Sequence, residues 1–161
     1  MLSNRPTRRI ALLGLLGRAG CGFAPIYGDG AAIQGAFAFE TDESILGFRL
    51  RARLEDRLGQ PSSAKFVLKA SLDASERAAA ITEDGDTSRL NVIGAATWSL
   101  TDLTTNQQIE TGKVEAFTSY SATGSTVATQ TAKDDARARL AVILADMIAT
   151  RVLLVTTDRP L

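Results

Sequence analysis

The residue types that most often carry chemistry are nearly missing from this chain of 161 residues, which has no histidine and a single cysteine, Cys21. Without histidine, a serine or cysteine nucleophile lacks its usual general base, and a zinc site lacks imidazole ligands. A lone cysteine cannot close an internal disulfide, so its thiol is a buried spectator, a reactive group or a modification site. We therefore predict no catalytic residue, no metal site and no cofactor.

Paired carboxylates are the next candidates for chemistry, and they occur at Glu55-Asp56 and Asp134-Asp135. Both pairs fall in predicted helices, where neighbouring residues point in different directions and cannot clamp one ligand together. The Asp84-Gly85-Asp86 stretch resembles part of a calcium loop but lacks the other ligands at the required spacing. These carboxylates are interpreted as solvated helix faces and a turn.

Two cations, Lys133 and Arg89, are the remaining candidates for a binding site. Lys133 lies early in the predicted final helix, and Arg89 begins a predicted hairpin. Each is either a solvated surface cation or a contact for an anionic group such as a lipid phosphate. The whole chain has 18 basic and 18 acidic residues, a balance that argues against nucleic acid as a partner.

The N-terminus has the features of an export signal. Arg5, Arg8 and Arg9 precede the apolar run Ile10–Leu16, and Ala19 and Gly20 precede Cys21. The apolar run covers only about 10 Å as a helix, too short to span a bilayer. We predict a lipoprotein-type signal peptide at residues 1–20 and lipidation of Cys21.

Other interpretations of this segment are a plain cleaved signal, an uncleaved or cytosolic N-terminus, and a buried structural cysteine. Arg18 stands where a lipoprotein signal usually has an apolar residue. Removing residues 1–20 would also remove four arginines and no acidic residue, which leaves the rest of the chain mildly acidic.

Periodicity in the rest of the chain predicts alternating strands and helices. Apolar residues three or four apart indicate helices, and alternate apolar residues indicate strands. The predicted elements are an extended tether to residue 35, a strand at 36–40, a helix at 44–58 that ends at Gly59, a strand at 64–73, a hairpin of strands 89–103 and 109–121, and a long helix after Gly124 and Ser125. Residues 74–81 fit neither pattern clearly, and 83–86 have the composition of a turn.

This order of elements predicts an α+β fold, with a mostly antiparallel sheet of about four strands and two helices packed on one face. We predict one domain over residues 36–155 and a short tail at 156–161. The apolar part of the final helix is interrupted by Asp146 and Arg151, so we interpret it as a core helix and not as a membrane span.

Three segments together resemble the lipopolysaccharide-assembly lipoprotein LptE family, in its alphaproteobacterial form. They are "CGFAPIYG" from Cys21, the hairpin "SRLNVIGAATWSLTDLTTNQQIETGKVEAFTSYS" and the final helix "ATQTAKDDARARLAVILADMIATRVLL". The resemblance covers nearly all of the chain after the predicted signal, and the family fold is an α+β sandwich.

The resemblance implies a non-enzymatic lipoprotein on the periplasmic face of the outer membrane, anchored in the lipid through acylated Cys21. Its implied partner is the LptD β-barrel, which it plugs and helps to assemble for lipopolysaccharide transport. Basic residues of the family are linked to lipopolysaccharide binding. Lys133 matches one such position, the companion position falls near Glu83, and Arg89 is the closest candidate for it. The alternative is a stand-alone envelope lipoprotein that binds a lipidic or small ligand in a pocket between sheet and helices.

Overall fold

The structure is a computed structural model that describes residues 33–81 and 87–157. Its elements in chain order are β1 (Phe37–Thr41), α1 (Ile45–Leu58), β2 (Phe66–Ile81), β3 (Thr87–Asp102), β4 (Gln107–Ser121) and α2 (Thr126–Thr157). The four strands form one sheet in the order β1-β2-β3-β4. β1 is parallel to β2, and the other two pairs are antiparallel. The predicted α+β fold is confirmed.

Helix α1 begins and ends at residues whose chemistry favours those positions. The Ser44 side chain accepts a hydrogen bond from the Gly47 backbone N–H at 3.0 Å, which satisfies a donor in the first turn. Gly59 ends the helix with φ of 87°, a left-handed conformation that glycine adopts without strain, and its N–H donates to the Glu55 carbonyl. Leu50, Leu54 and Leu58 are buried at a spacing of four residues.

Strand β2 is longer than the sequence pattern indicates, because residues 74–81 continue it beside β3. Ala74 pairs with Gly94 and Glu76 pairs with Val92, in register with the buried pairs before them. Polar Glu76 therefore occupies a position on the covered face, where the alternation rule expects an apolar residue. This exception is what hides the end of the strand in the sequence.

The β3–β4 hairpin turns at the predicted residues. The Asp102 carboxylate accepts hydrogen bonds from the backbone N–H groups of Thr104 at 2.7 Å and Thr105 at 3.2 Å. Asn106 has φ of 54°, a left-handed conformation that asparagine tolerates better than most residues. The turn sets the pairing of Asp102 with Gln107, and an irregularity between Thr101 and Leu100 shifts the register to the one in which Leu100 pairs with Glu110.

The core lies between the helices and one face of the sheet, which we call the covered face. Strand residues at alternate positions supply one side of it, among them Leu68, Leu72, Val92, Ala96 and Leu100. Helix α2 supplies the other side through Ala136, Leu140, Leu144, Ile148 and Val152, each with no exposed surface.

Apolar residues recur three or four apart along α2, but three of them lie outside this core. Ala128 is exposed, and Ile143 and Met147 each keep 39% of their surface accessible. Ile143 and Met147 line a groove of about 810 Å³ between β4 and α2. The buried row of α2 is therefore narrower than the hydropathy of the helix suggests.

Burial extends slightly beyond the predicted domain range at both ends, since Ile33 and Thr156 are 7% and 1% exposed. The predicted signal peptide, Cys21 and the turn at residues 83–86 lie outside the described residues, as do most of the tether and of the tail. Within residues 33–81 and 87–157, no helix combines the length and apolar character needed to cross a membrane.

Candidate functional site

An ion cluster joins α2 to the sheet at Glu76. Glu76 Oε1 lies 2.9 Å from Lys133 Nζ and accepts a hydrogen bond from Arg137 Nη2 at 2.8 Å. Its other oxygen, Oε2, accepts a hydrogen bond from the Tyr120 hydroxyl at 3.1 Å. Residues from β2, β4 and α2 therefore meet at one carboxylate.

The cluster is partly shielded from solvent and favours the ionised carboxylate. The side chains of Glu76, Lys133 and Arg137 are 20%, 26% and 38% exposed. Burial alone would raise the pKa of Glu76, but hydrogen bonds from Lys133 and Tyr120 and the two positive charges together lower it. Burial, followed by the hydrogen bond to Glu76 and its charge, raises the pKa of Tyr120.

Lys133, the first cation singled out in the sequence, is thus bound within the molecule. Its partner Glu76 is distant in sequence and lies in the part of β2 that the hydropathy pattern left unassigned. An external anion would have to share Lys133 with this carboxylate, which already neutralises its charge and is held by two further donors. The intramolecular pair makes Lys133 a link between α2 and the sheet.

Arg89, the second cation, lies on the other side of the sheet. Leu90 and Val92, at alternate positions of β3, point toward the core. Successive side chains of a strand point to opposite faces, so Arg89 lies on the opposite face, where it is exposed. Across the β3–β4 pairing, Arg89 lies opposite Ser121, whereas Leu90 lies opposite Tyr120 of the ion cluster. The structure therefore does not bring Lys133 and Arg89 together.

We call the side of the sheet opposite the helices the open face. Its cross-strand rows run Lys69–Ser99–Thr111, Ser71–Thr97–Lys113, Asp73–Ala95–Glu115, Ser75–Ile93–Phe117 and Arg77–Asn91–Ser119, with Arg89–Ser121 beyond. Lys69 is paired with Glu40 at 2.8 Å and Lys113 with Glu115 at 2.6 Å. Arg77 was missed in the sequence because its strand was not recognised; extending the alternation of residues 64–73 through 77 would have placed it on this face.

Three of the four carboxylates in the adjacent pairs have structural partners. Asp135 pairs with Arg139 and Glu55 with Arg51 one helical turn away, and Asp134 accepts a hydrogen bond from Gln130. Buried Thr118 donates to the Ala136 carbonyl at 2.8 Å and so ties β4 to α2. Across the described ranges, no group of histidine, cysteine and carboxylate side chains is placed to hold a metal ion.

The family model named LptE, described as lipopolysaccharide-assembly, matches residues 33–152. The chain belongs to the LptE family. The match begins at buried Ile33 and runs to Val152 near the end of α2, so it takes in all four strands and the core of this LptE fold. No curated protein matches the chain.

Solved structures share the LptE fold of this chain at low sequence identity. A candidate lipoprotein of Caulobacter crescentus is 21% identical with a TM-score of 0.67, over 83% of this chain and 99% of that one. Rare lipoprotein B of Shewanella oneidensis is 15% identical with a TM-score of 0.55, over 73% of this chain and 97% of that one. A minor lipoprotein of Acinetobacter baumannii is 18% identical with a TM-score of 0.52, over 74% of this chain and 90% of that one. These likenesses show the fold.

Proposed function

We propose that this LptE-family chain is a lipid-anchored protein on the periplasmic face of the outer membrane, where it plugs and helps to assemble an LptD-type β-barrel for lipopolysaccharide transport. The family match over residues 33–152 carries the proposal. The domain agrees with a binding and assembly role, because Glu76, Asp146 and Thr118 form ion pairs or hydrogen bonds that hold its elements together.

Isolation of the chain from its native outer membrane tests the barrel association. With an affinity tag at the C-terminus, we expect a large β-barrel to be recovered with the chain after mild detergent extraction. A second outer-membrane lipoprotein with the same tag is the control and should recover none of it. If the tagged chain resides in the outer membrane and no large barrel accompanies it, the plug role is refuted.

Attachment to the membrane is proposed to occur through Cys21. One acyl chain gives only marginal membrane binding, and stable anchoring needs a second signal, which several chains on one cysteine would supply. Metabolic labelling with a radioactive fatty acid should label the wild-type chain and not Cys21→Ala. Equal label in the two proteins would show that the anchor lies elsewhere or does not exist.

Lipopolysaccharide binding through Lys133 and Arg89 is the most specific part of the proposal. Arg89 is exposed on the open face, whereas Lys133 would have to bind lipopolysaccharide while its charge is paired with Glu76. The alternative of a ligand pocket between sheet and helices has its support in the groove beside Ile143 and Met147, because Leu140, Leu144 and Ile148 fill the middle of that layer without exposed surface.

A further inference from the structure

Strand β4 forms one edge of the sheet, so half of its backbone hydrogen-bonding groups point away from β3. We propose that this edge binds the β4 edge of a second copy of the chain. The two strands run antiparallel around a twofold axis at Val114 and join the sheets into one of eight strands. The inference goes beyond the proposed function, because it concerns how the chain pairs with itself.

The pairing with β3 shows which backbone groups of β4 point outward. The Ala122 N–H donates to the Ser88 carbonyl at 3.1 Å, and the register continues without a shift to Glu110, so even-numbered residues of β4 bond to β3. Odd-numbered residues therefore point their N–H and C=O groups outward. The outward Ser119 carbonyl agrees with this, since it accepts a hydrogen bond from Arg139 at 3.2 Å.

Below Ser119 the edge is open. Within residues 33–81 and 87–157, no group bonds to the outward N–H and C=O groups of four successive odd-numbered residues, which are Thr111, Lys113, Glu115 and Phe117. Phe117 pairs with Ile93, which is about 20 Å along β3 from Thr87, so this stretch does not adjoin segment 82–86. An open strand edge of this kind is a template for pairing with another strand.

The charges on β4 select one register for a twofold pair. With the axis at Val114, Lys113 of each copy lies opposite Glu115 of the other, and both side chains are on the open face. Moving the axis to residue 113 or 115 would place two lysines or two glutamates opposite each other. Opposite charges stabilise cross-strand pairs and like charges destabilise them.

The next pair in this register is also favourable. Phe117, which is 65% exposed, lies opposite Thr111 of the second copy. An aromatic residue beside a β-branched one is among the cross-strand pairs that stabilise a sheet. The pairing thus covers the most exposed aromatic ring of β4.

The groove beside β4 indicates that the added strand belongs to a second copy. This groove of about 810 Å³ lies on the covered face beside Val114, and α2 lines it with Ile143 and Met147, each 39% exposed. An isolated strand would pair with the edge and leave these side chains in water. A second copy brings its own α2 to the same side of the joined sheet, where the two helices cover both grooves.

Sedimentation equilibrium of the full chain over a concentration series tests the pairing. Every sample carries Cys21→Ser, so that no acyl anchor contributes. The variants are K113E, E115K and their equimolar mixture. K69E is the matched control, because Lys69 and Lys113 are both ion-paired and have 59% and 58% of their side chains exposed.

We expect the parent chain to dimerise, and K113E and E115K each to weaken the dimer about tenfold or more, because like charges then face each other twice. The mixture restores opposite charges between copies while each chain keeps its own like charges. It should dimerise within about threefold of the parent, and K69E within about twofold. A circular dichroism melt checks that each variant is folded.

Disulfide formation tests the register. Across the axis the two Val114 Cα atoms would be about 4.5 Å apart, which suits a disulfide, whereas two Ala116 residues would be offset by about 13 Å. Under mild oxidation V114C should form a covalent dimer, and A116C should do so at least about fivefold more slowly.

Several results would overturn the proposal. They are a parent chain that stays monomeric, a dimer that K113E does not weaken, a mixture that fails to restore dimerisation, and A116C crosslinking as fast as V114C. If V114C crosslinks a different polypeptide in the membrane while the parent chain is monomeric, the β4 edge belongs to that partner. None of these results decides the barrel association, which the membrane isolation tests separately.

Discussion

At the scale of single residues, Glu76 decides what Lys133 can do. Its carboxylate is held by Lys133, Arg137 and Tyr120, and the pKa of Glu76 is lowered from its ordinary value of 4.5 in the folded chain. A carboxyl whose pKa is lower when folded stabilises the fold fully at pH values above its unfolded pKa. That stabilisation is lost as the pH falls through the lower, folded pKa.

We therefore expect Glu76→Gln to reduce the free energy of unfolding by about 1–2 kcal/mol at neutral pH, because charge-assisted hydrogen bonds become weaker neutral ones. The difference from the wild-type chain should shrink as the pH falls through the lowered, folded-state pKa of Glu76, below which both proteins carry a neutral group. Urea unfolding of both proteins, from neutral pH down to acidic pH, measures this difference in the free energy of unfolding.

Glu40→Gln is the matched control for this substitution. It breaks the exposed pair with Lys69 and should change the free energy of unfolding by less than about 0.5 kcal/mol. A loss in Glu76→Gln that is the same at every pH would contradict the charge-based account.

The sequence could mark Lys133 and Arg89 as candidate cations but could not show which was already paired. Pairing depends on Glu76, whose neighbours Ala74 and Ala78 give too weak an apolar signal to reveal a strand. The same weak apolar signal concealed Arg77, because it lies in the same unrecognised half of β2. Short-range patterns identify residue types, whereas the partner of a charge is set by long-range register.

At the scale of elements, periodicity predicted five of the six elements with bounds close to those observed. The central hairpin alternates from Leu90 to Leu100, and α1 has leucines four apart between Ser44 and Gly59, so hydropathy and capping agree in both. β2 was cut short at Asp73 because its second half carries alanines and charges. The sequence could not show that this half is held by pairing with β3.

The contact between α2 and β3 depends on Gly94. A Cβ atom at this position would lie 2.7 Å from Leu140 Cδ2 and 3.3 Å from the Asp73 carbonyl oxygen. We expect Gly94→Ala to lower the free energy of unfolding by about 1–2 kcal/mol through overpacking, which outweighs the small gain from a stiffer unfolded chain. Thermal or urea unfolding of the variant measures this cost.

A second substitution, Leu140→Ala, identifies what lowers the free energy of unfolding in Gly94→Ala. In a Leu140→Ala background the obstructing methyl groups are gone, so adding Gly94→Ala should cost almost nothing further. Gly124→Ala is a control at an exposed glycine, where the added Cβ would be 3.2 Å from Ala128 Cβ. A cost of Gly94→Ala that persists with Leu140→Ala would place the strain in the backbone and not in helix packing.

At the scale of the whole molecule, the sheet separates two tasks between its faces. Consecutive residues of β2 illustrate this, since Glu76 faces α2 and Arg77 faces the open side. The covered face holds the core and the ion cluster, while the open face carries Arg89. Substitutions on one face should therefore leave the property of the other face intact.

A double-mutant cycle with E76Q and R89Q tests this separation. E76Q should lower stability and leave the affinity for dihexanoyl phosphatidic acid within about twofold, because its partners lie on the covered face. R89Q should weaken lipid binding and leave stability nearly unchanged. The double variant should show both effects, with stabilities that add within about 0.5 kcal/mol, as expected for independent sites. If E76Q instead tightens lipid binding while R89Q leaves it unchanged, then the released Lys133 and Arg137 form the anion site, and Arg89 is not the place where the phosphate binds.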